Sequence, residues 1–262
     1  MAKSIFNGVL SFGLVSAPFK LYVATENQDI SLNLLHTCKQ QGRIRHKNFC
    51  ETCETAVEFA DIQKGYEYEK GKYVTFSTDE LAELNEVSDK VLEIVQFVEL
   101  EEVDPIYFEK AYFLGADKGG ERALGLLAYT LKATKKAALG RVTLRNREHL
   151  VLIRSGFGGL VMHTLLYTNE VRQNDEKLAS LALSDAEKGL AGTLITALTN
   201  PVDLTIFQNG YVDNLQKLID SKVKGKGFSI KKTAKAKPQL DLMDSLKESL
   251  EAAKKRAGKK SA

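Results

Sequence analysis

The chain has 262 residues, 44% of them apolar, enough to bury one large core or two small ones. No run approaches the ~20 consecutive apolar residues that span a bilayer, and three cysteines clustered at Cys38, Cys50 and Cys53 argue against a secreted disulfide framework and for a reducing cytoplasm. The net charge of +3 hides a segregation: residues 1–50 sum to +4, 51–110 to −12, 118–154 to +7, 155–221 to −4 and 222–262 to +9.

Signs kept apart in this way suit surfaces that meet a polyanion; the plainer alternative is that the blocks mix once the chain folds. The N-terminus lacks the charged start and small-residue cleavage site of a signal peptide and reads as strand. Phe6, Leu10 and Phe12 share one face, a break is expected at Ser16-Ala17-Pro18, and Phe19, Leu21 and Val23 then share a face. The segment Lys39-Gln40-Gln41-Gly42-Arg43-Ile44-Arg45-His46-Lys47 predicts a hairpin turning near Gln41-Gly42, with Arg43, Arg45 and Lys47 alternating along its second arm. Beside it, Cys50-Glu51-Thr52-Cys53 is a CxxC, with His36 and Cys38 upstream. Those four side chains make a candidate structural zinc set, against the alternative of buried free thiols.

Strands are expected at Tyr73–Phe76, Val91–Val98, Tyr112–Leu114, Leu139–Leu144, Leu150–Ile153 and Leu160–His163. Two helices interrupt them: one opens on the capping box Ser77-Thr78-Asp79-Glu80, the other runs from Arg122 to Lys135. Lys132, Lys135 and Lys136 close the second helix and either extend a basic surface or complement the helix dipole. Read as one strand, Arg141 to Arg147 places Arg141, Thr143, Arg145 and Arg147 on one face, a surface for phosphate oxygens. The alternative is a solvated face with acidic cross-strand partners from the 51–110 block.

Gly156-Phe157-Gly158-Gly159 lacks the lysine of a phosphate-binding loop and reads as a turn or bulge. His149 and His163, set among apolar residues, read as packed histidines. With no nucleophile elbow, Walker loop, paired-carboxylate motif or HExxH, no catalytic residue is expected and the chain reads as a binding protein, not an enzyme.

From Ser184 the texture becomes helical: Ser184-Asp185-Ala186-Glu187 starts a helix ended by Asn200-Pro201, and another fits Val212 to Ser221. The fold class is therefore α+β. Residues 222–238 are rich in Lys and Gly and read as a flexible linker; 239–262 carry a short amphipathic helix and a basic tail.

Several co-linear motifs resemble the bacterial Ku family. They are Gly8-Val9-Leu10-Ser11-Phe12-Gly13-Leu14-Val15 with Pro18-Phe19-Lys20-Leu21-Tyr22, Leu35-His36 with Gly42-Arg43-Ile44-Arg45, and Lys64-Gly65-Tyr66-Glu67-Tyr68. Val103-Asp104-Pro105, Tyr112-Phe113-Leu114, Thr143-Leu144-Arg145-Asn146 and His163-Thr164-Leu165-Leu166-Tyr167 continue the likeness, which covers nearly the whole chain.

The resemblance implies a Ku-type antiparallel β-barrel core with a DNA-encircling bridge and a helical C-terminal arm, together spanning 1–221. It implies a homodimeric ring, cytoplasmic and nucleoid-associated, that binds double-stranded DNA ends without sequence specificity in double-strand break repair. Lys39, Arg43, Arg45, Lys47, Lys135, Arg141, Arg145 and Arg147 are then the expected DNA contacts. Asp241-Leu242-Met243-Asp244-Ser245-Leu246 resembles the family's ligase-recruitment segment, so Leu242, Met243, Leu246 and Leu250 are expected to bind a multidomain ATP-dependent DNA ligase for non-homologous end joining. No cofactor is expected beyond the candidate zinc. The rival readings are a generic nucleic-acid binder and a zinc-stabilised adaptor.

Overall fold

A computed structural model describes residues 3–83, 90–145, 147–176, 184–225 and 245–252. The chain opens with β1 (Phe6–Phe12) and β2 (Val15–Val23), joined by a two-residue turn at Gly13-Leu14. Gly13 sits at φ 60°, the left-handed region that a tight hairpin turn demands of its first central residue. The expected break at Ser16-Ala17-Pro18 is therefore misplaced, and Pro18 lies inside β2 opposite Val9. It is tolerated because its ring nitrogen faces the side where pairing with the next neighbour begins one residue later, at Phe19.

Two small hairpins follow: β3 (Phe49–Cys50) with β4 (Thr55–Ala56), and β5 (Lys64–Glu69) with β6 (Lys72–Phe76). The short helix α1 (Thr78–Glu83) has the expected capping box: Glu80 N–H donates to Ser77 Oγ (3.1 Å) and Ser77 N–H donates to Glu80 Oε2 (2.8 Å). Then come β7 (Val91–Glu99), β8 (Phe108–Ala116), α2 (Glu121–Thr134), β9 (Lys136–Leu144), β10 (Arg147–Gly156) and β11 (Gly159–Leu165). The expected strands are all present, each longer than periodicity alone indicated.

β1, β2, β8, β11, β10, β9 and β7 close into a barrel in that order. Every pairing is antiparallel except the parallel β1–β7 contact that seals it. A bulge between Ile94 and Gln96 helps β7 bend around β9. Opposite it stands Gly140, where any Cβ would collide with the Glu93 carbonyl, so the close approach requires glycine. The barrel interior holds Leu10, Phe19, Leu21, Leu92, Val142, Val151, Ile153 and Met162, and α2 adds Leu124, Leu127 and Leu131 to the same cluster. A smaller cluster on the opposite face of β9 and β10 gathers Ala137, Leu152 and Leu165 against Val98, Tyr107 and Leu150. Fully burying one such side chain contributes about 1.5–3 kcal/mol.

By their contacts, residues 1–28 and 33–173 form one compact unit, and 29–32 with 174–262 a second. The second carries α3 (Asp185–Leu198), α4 (Gly210–Val223) and α5 (residues 245–252). The Ser184 capping box is present, with Glu187 N–H donating to Ser184 Oγ at 3.3 Å. α4 extends to Val223, past the expected start of the linker at 222; the rest of that linker beyond 225 and the basic tail lie outside the described residues.

Candidate nucleic-acid interface

The chain reverses close to the expected Gln41-Gly42, but the first arm is 34–36 rather than the residues after Lys39, and the arms share an isolated bridge instead of a strand ladder. Ile44 N–H donates to the Leu34 carbonyl (2.9 Å), His36 N–H to the Gly42 carbonyl (2.8 Å), and Leu35 bridges Arg43. The reversal is completed by Gln41 at φ 47°, with Gln41 N–H donating to the Cys38 carbonyl (2.9 Å). Lys39 sits in this turn, and Arg43, Arg45 and Lys47 follow at alternate positions, all exposed. None of the four forms an ion pair among the described residues.

The stretch from Arg141 to Arg147 departs from expectation. It is not one strand: β9 ends at Leu144, Arg145 turns at φ 52°, and β10 starts at Arg147, which lies opposite Leu144. Directly opposed residues point to the same side of a sheet. Arg147 therefore shares the face of Leu144 and Val142, and Arg141 lies on the other. Each strand arginine has a carboxylate partner. Arg141 Nη2 is 3.0 Å from Glu93 Oε2, its cross-strand neighbour on β7, and Arg147 Nη2 is 2.9 Å from Glu170 Oε1. Glu93 belongs to the acidic 51–110 block, so the alternative of acidic cross-strand partners holds for Arg141. Arg145, exposed at the turn, has no such partner.

Arg145 and Arg147 also line a cavity of about 240 Å³ with Lys110, His149, Glu109 and Thr164. Burial first, and the neighbouring Arg147 second, push the His149 imidazole below its ordinary pKa, which keeps it neutral beside the cations. His163 is shifted the same way by burial and by Arg154, whose Nε–H donates to His163 Nε2 at 3.2 Å. Both are packed histidines, as the sequence suggested. Lys135 caps α2 in the left-handed conformation (φ 57°) and is exposed, whereas Lys136 pairs with Glu99 at 3.0 Å. Sequence reasoning missed Lys110 and the carboxylates Glu93 and Glu170; the alternation of Val91–Val98 was the available signal for Glu93.

The candidate zinc set is not assembled. Among the described residues no group of three or more His, Cys, Asp or Glu side chains lies close enough to hold a metal ion. Cys50 and Cys53 are hydrogen-bonded to each other across the β3–β4 turn, and backbone N–H groups of Cys53 and Thr52 hold the Cys50 thiol below its usual range. Cys38 is occupied separately, its thiol lowered chiefly by a backbone hydrogen bond from Gly42. Three free thiols in two local settings are what the structure holds.

Of the expected ligase contacts, Leu242 and Met243 lie outside the described residues. Leu246 and Leu250 are half-buried on α5, at the i, i+4 spacing that puts them on one face.

The profile of the family described as Ku70/Ku80 beta-barrel domain matches residues 11–189. The chain is 38% identical over 267 residues to the non-homologous end joining protein Ku of Solibacter usitatus, with the whole of both chains covered. It is 36% identical to the protein of that name from Archaeoglobus fulgidus, covering 96% of this chain and all of the other. With that of Mycobacterium tuberculosis it shares 34% identity over 85% of this chain and 84% of the relative. A closed barrel of this strand order, a profile match over most of it and relatives similar along the full length lead to one conclusion: the chain belongs to the Ku family.

Proposed function

We propose that two copies of this chain form a ring that binds double-stranded DNA ends without sequence specificity and recruits an ATP-dependent DNA ligase for non-homologous end joining. The observation that carries the proposal is the set of exposed cations Lys39, Arg43, Arg45 and Lys47, with no ion-pair partner among the described residues, on a chain whose relatives are named for end joining along their full length. Unpaired cations at alternate positions meet a repeating line of phosphates and read no base edge, which suits an arbitrary DNA end. Arg145 and Lys135 join them, while Arg141 and Arg147 must exchange a carboxylate for a phosphate.

Dimerisation is supported by apolar surface that a monomer leaves in water. Leu34, Phe49, Phe59 and Tyr66 are each 60% or more exposed, and large apolar side chains left in water are candidates for burial against a second copy. A two-fold pair is the simplest closed assembly.

The test is competition for a labelled linear duplex. An unlabelled linear duplex should displace it, while covalently closed circles of the same sequence and single strands should compete poorly. Equal competition by circles and linear duplex at matched salt would refute threading onto ends.

A further inference from the structure

One cleft stands outside everything above. The outer face of α2 and the β10–β11 turn enclose about 390 Å³ lined by Ala128, Tyr129, Lys132, Phe157, Gly158 and Gly159, with Ser155 and Gly156 completing the wall. Among the described residues no carboxylate lines it. Phe157 is 85% exposed and Tyr129 73% exposed, so two aromatic rings stand in water at its edges. Phe157 also adopts φ 50°, a left-handed conformation that a bulky side chain avoids. Its ring meets Phe113 edge-on with centroids 6.1 Å apart. Gly158 and Gly159 leave open space above their backbone. Tyr129 and Lys132, three residues apart, project from the same side of α2.

We infer that this cleft takes an unpaired nucleotide of a single-stranded DNA extension, its base packed against both the Phe157 and Tyr129 rings and its phosphate at Lys132. Three features favour this occupant. Flat apolar rings beside a cation match a base joined to a phosphate, and such stacking tolerates any base. The lining carries one positive and no negative charge, which selects an anion. The volume sits at the small-ligand end of pocket sizes, roughly 300–1,000 Å³. A protein partner would need on the order of 800 Å² of its own surface covered. The inference goes beyond duplex-end binding: it gives the unpaired part of a broken end its own contact, on residues other than the cations at 39–47.

The experiment measures full-chain protein by fluorescence anisotropy against a blunt duplex, the same duplex with a thymidine extension, and the extension alone. Phe157→Ala and Tyr129→Ala should each weaken binding of the two extended probes about tenfold, the order expected for one lost stack, and change the blunt duplex less than about twofold. Phe157→Tyr should restore the parent affinity. Lys132→Gln should flatten the log–log salt slope on the single strand by about 0.7. Equal losses on blunt and extended probes, or no loss on either, would overturn the inference. Loss of ligase stimulation in Phe157→Ala with extended-probe binding intact would also overturn it, assigning the cleft to a protein. If circles compete as well as linear duplex while the Phe157 dependence persists, the ring reading fails and the cleft assignment stands.

Discussion

Arg141, Arg145 and Arg147 lie within a few residues of one another yet occupy three electrostatic settings. Arg141 is matched across the strands by Glu93 and Arg147 by Glu170, while Arg145 at the turn is exposed with no carboxylate partner among the described residues. An exposed ion pair is worth about 0–1 kcal/mol, so phosphate can displace the carboxylate, but only the unpaired arginine gains a contact without losing one. We expect Arg145→Gln to lower the slope of log affinity against log salt for linear duplex by about 0.9, with the same fractional loss for unrelated sequences. Arg141→Gln should lower it less, which salt titrations of both variants would compare. A second residue-scale pair governs acid stability. The Lys20 ammonium, 2.7 Å from Asp117 Oδ1, and then the Lys118 N–H hold the Asp117 carboxyl below its ordinary range. A depressed folded-state pKa means stability that is present above the unfolded carboxylate pKa and lost as pH falls through the folded one. Thermal melts should therefore show Asp117→Asn less stable than the parent at neutral pH, with the gap closing in acid. None of these pairings follows from sequence distance, because Lys20 and Asp117 meet only where β2 pairs with β8.

At the scale of elements, local chemistry was legible wherever it was self-contained. The capping boxes at Ser77 and Ser184, the amphipathic helix after Gly120 and the alternation of β7 all formed as read. Two readings failed for one reason: periodicity records alternation but not chain reversal. Alternation puts a break at Ser16-Ala17-Pro18 where β2 runs on, and misses the turns at Gly13-Leu14 and at Arg145. Under the proposed ligase recruitment, α5 is the element that would make the contact. An isolated helix of fewer than ~12–15 residues is marginal in water, so its apolar stripe calls for a groove to bind. Removal of residues 239–262 should leave end binding near the parent value but abolish stimulation of the partner ligase in a nick- or end-joining assay. Leu246→Asp with Leu250→Asp should reproduce that loss with the basic tail still in place. If joining is stimulated as before, the helix is not the recruiting element.

For the whole molecule, the distribution of apolar exposure argues for a second copy. The barrel buries Leu10, Leu21, Leu92 and Leu152 completely, whereas Val202, Leu204, Ile206 and Phe207 in the helical unit are each 69% or more exposed. Leu204→Asp with Phe207→Asp should shift the assembly toward monomer in sedimentation equilibrium and weaken linear-duplex binding, since an open half-ring holds DNA less well. Retention of the parent mass in the double variant would remove that surface from the interface. The sequence by itself determined the α+β class, the strand and helix inventory, the charge segregation and, through co-linear motifs, the family, because each depends on residues close together in the chain. Tertiary structure alone decided that a parallel β1–β7 contact seals the barrel and that the four candidate zinc ligands do not meet. It also decided which arginines carry a carboxylate partner. Those outcomes depend on which distant residues share a register, and a linear sequence with alternating side chains holds no record of which strand will lie beside which.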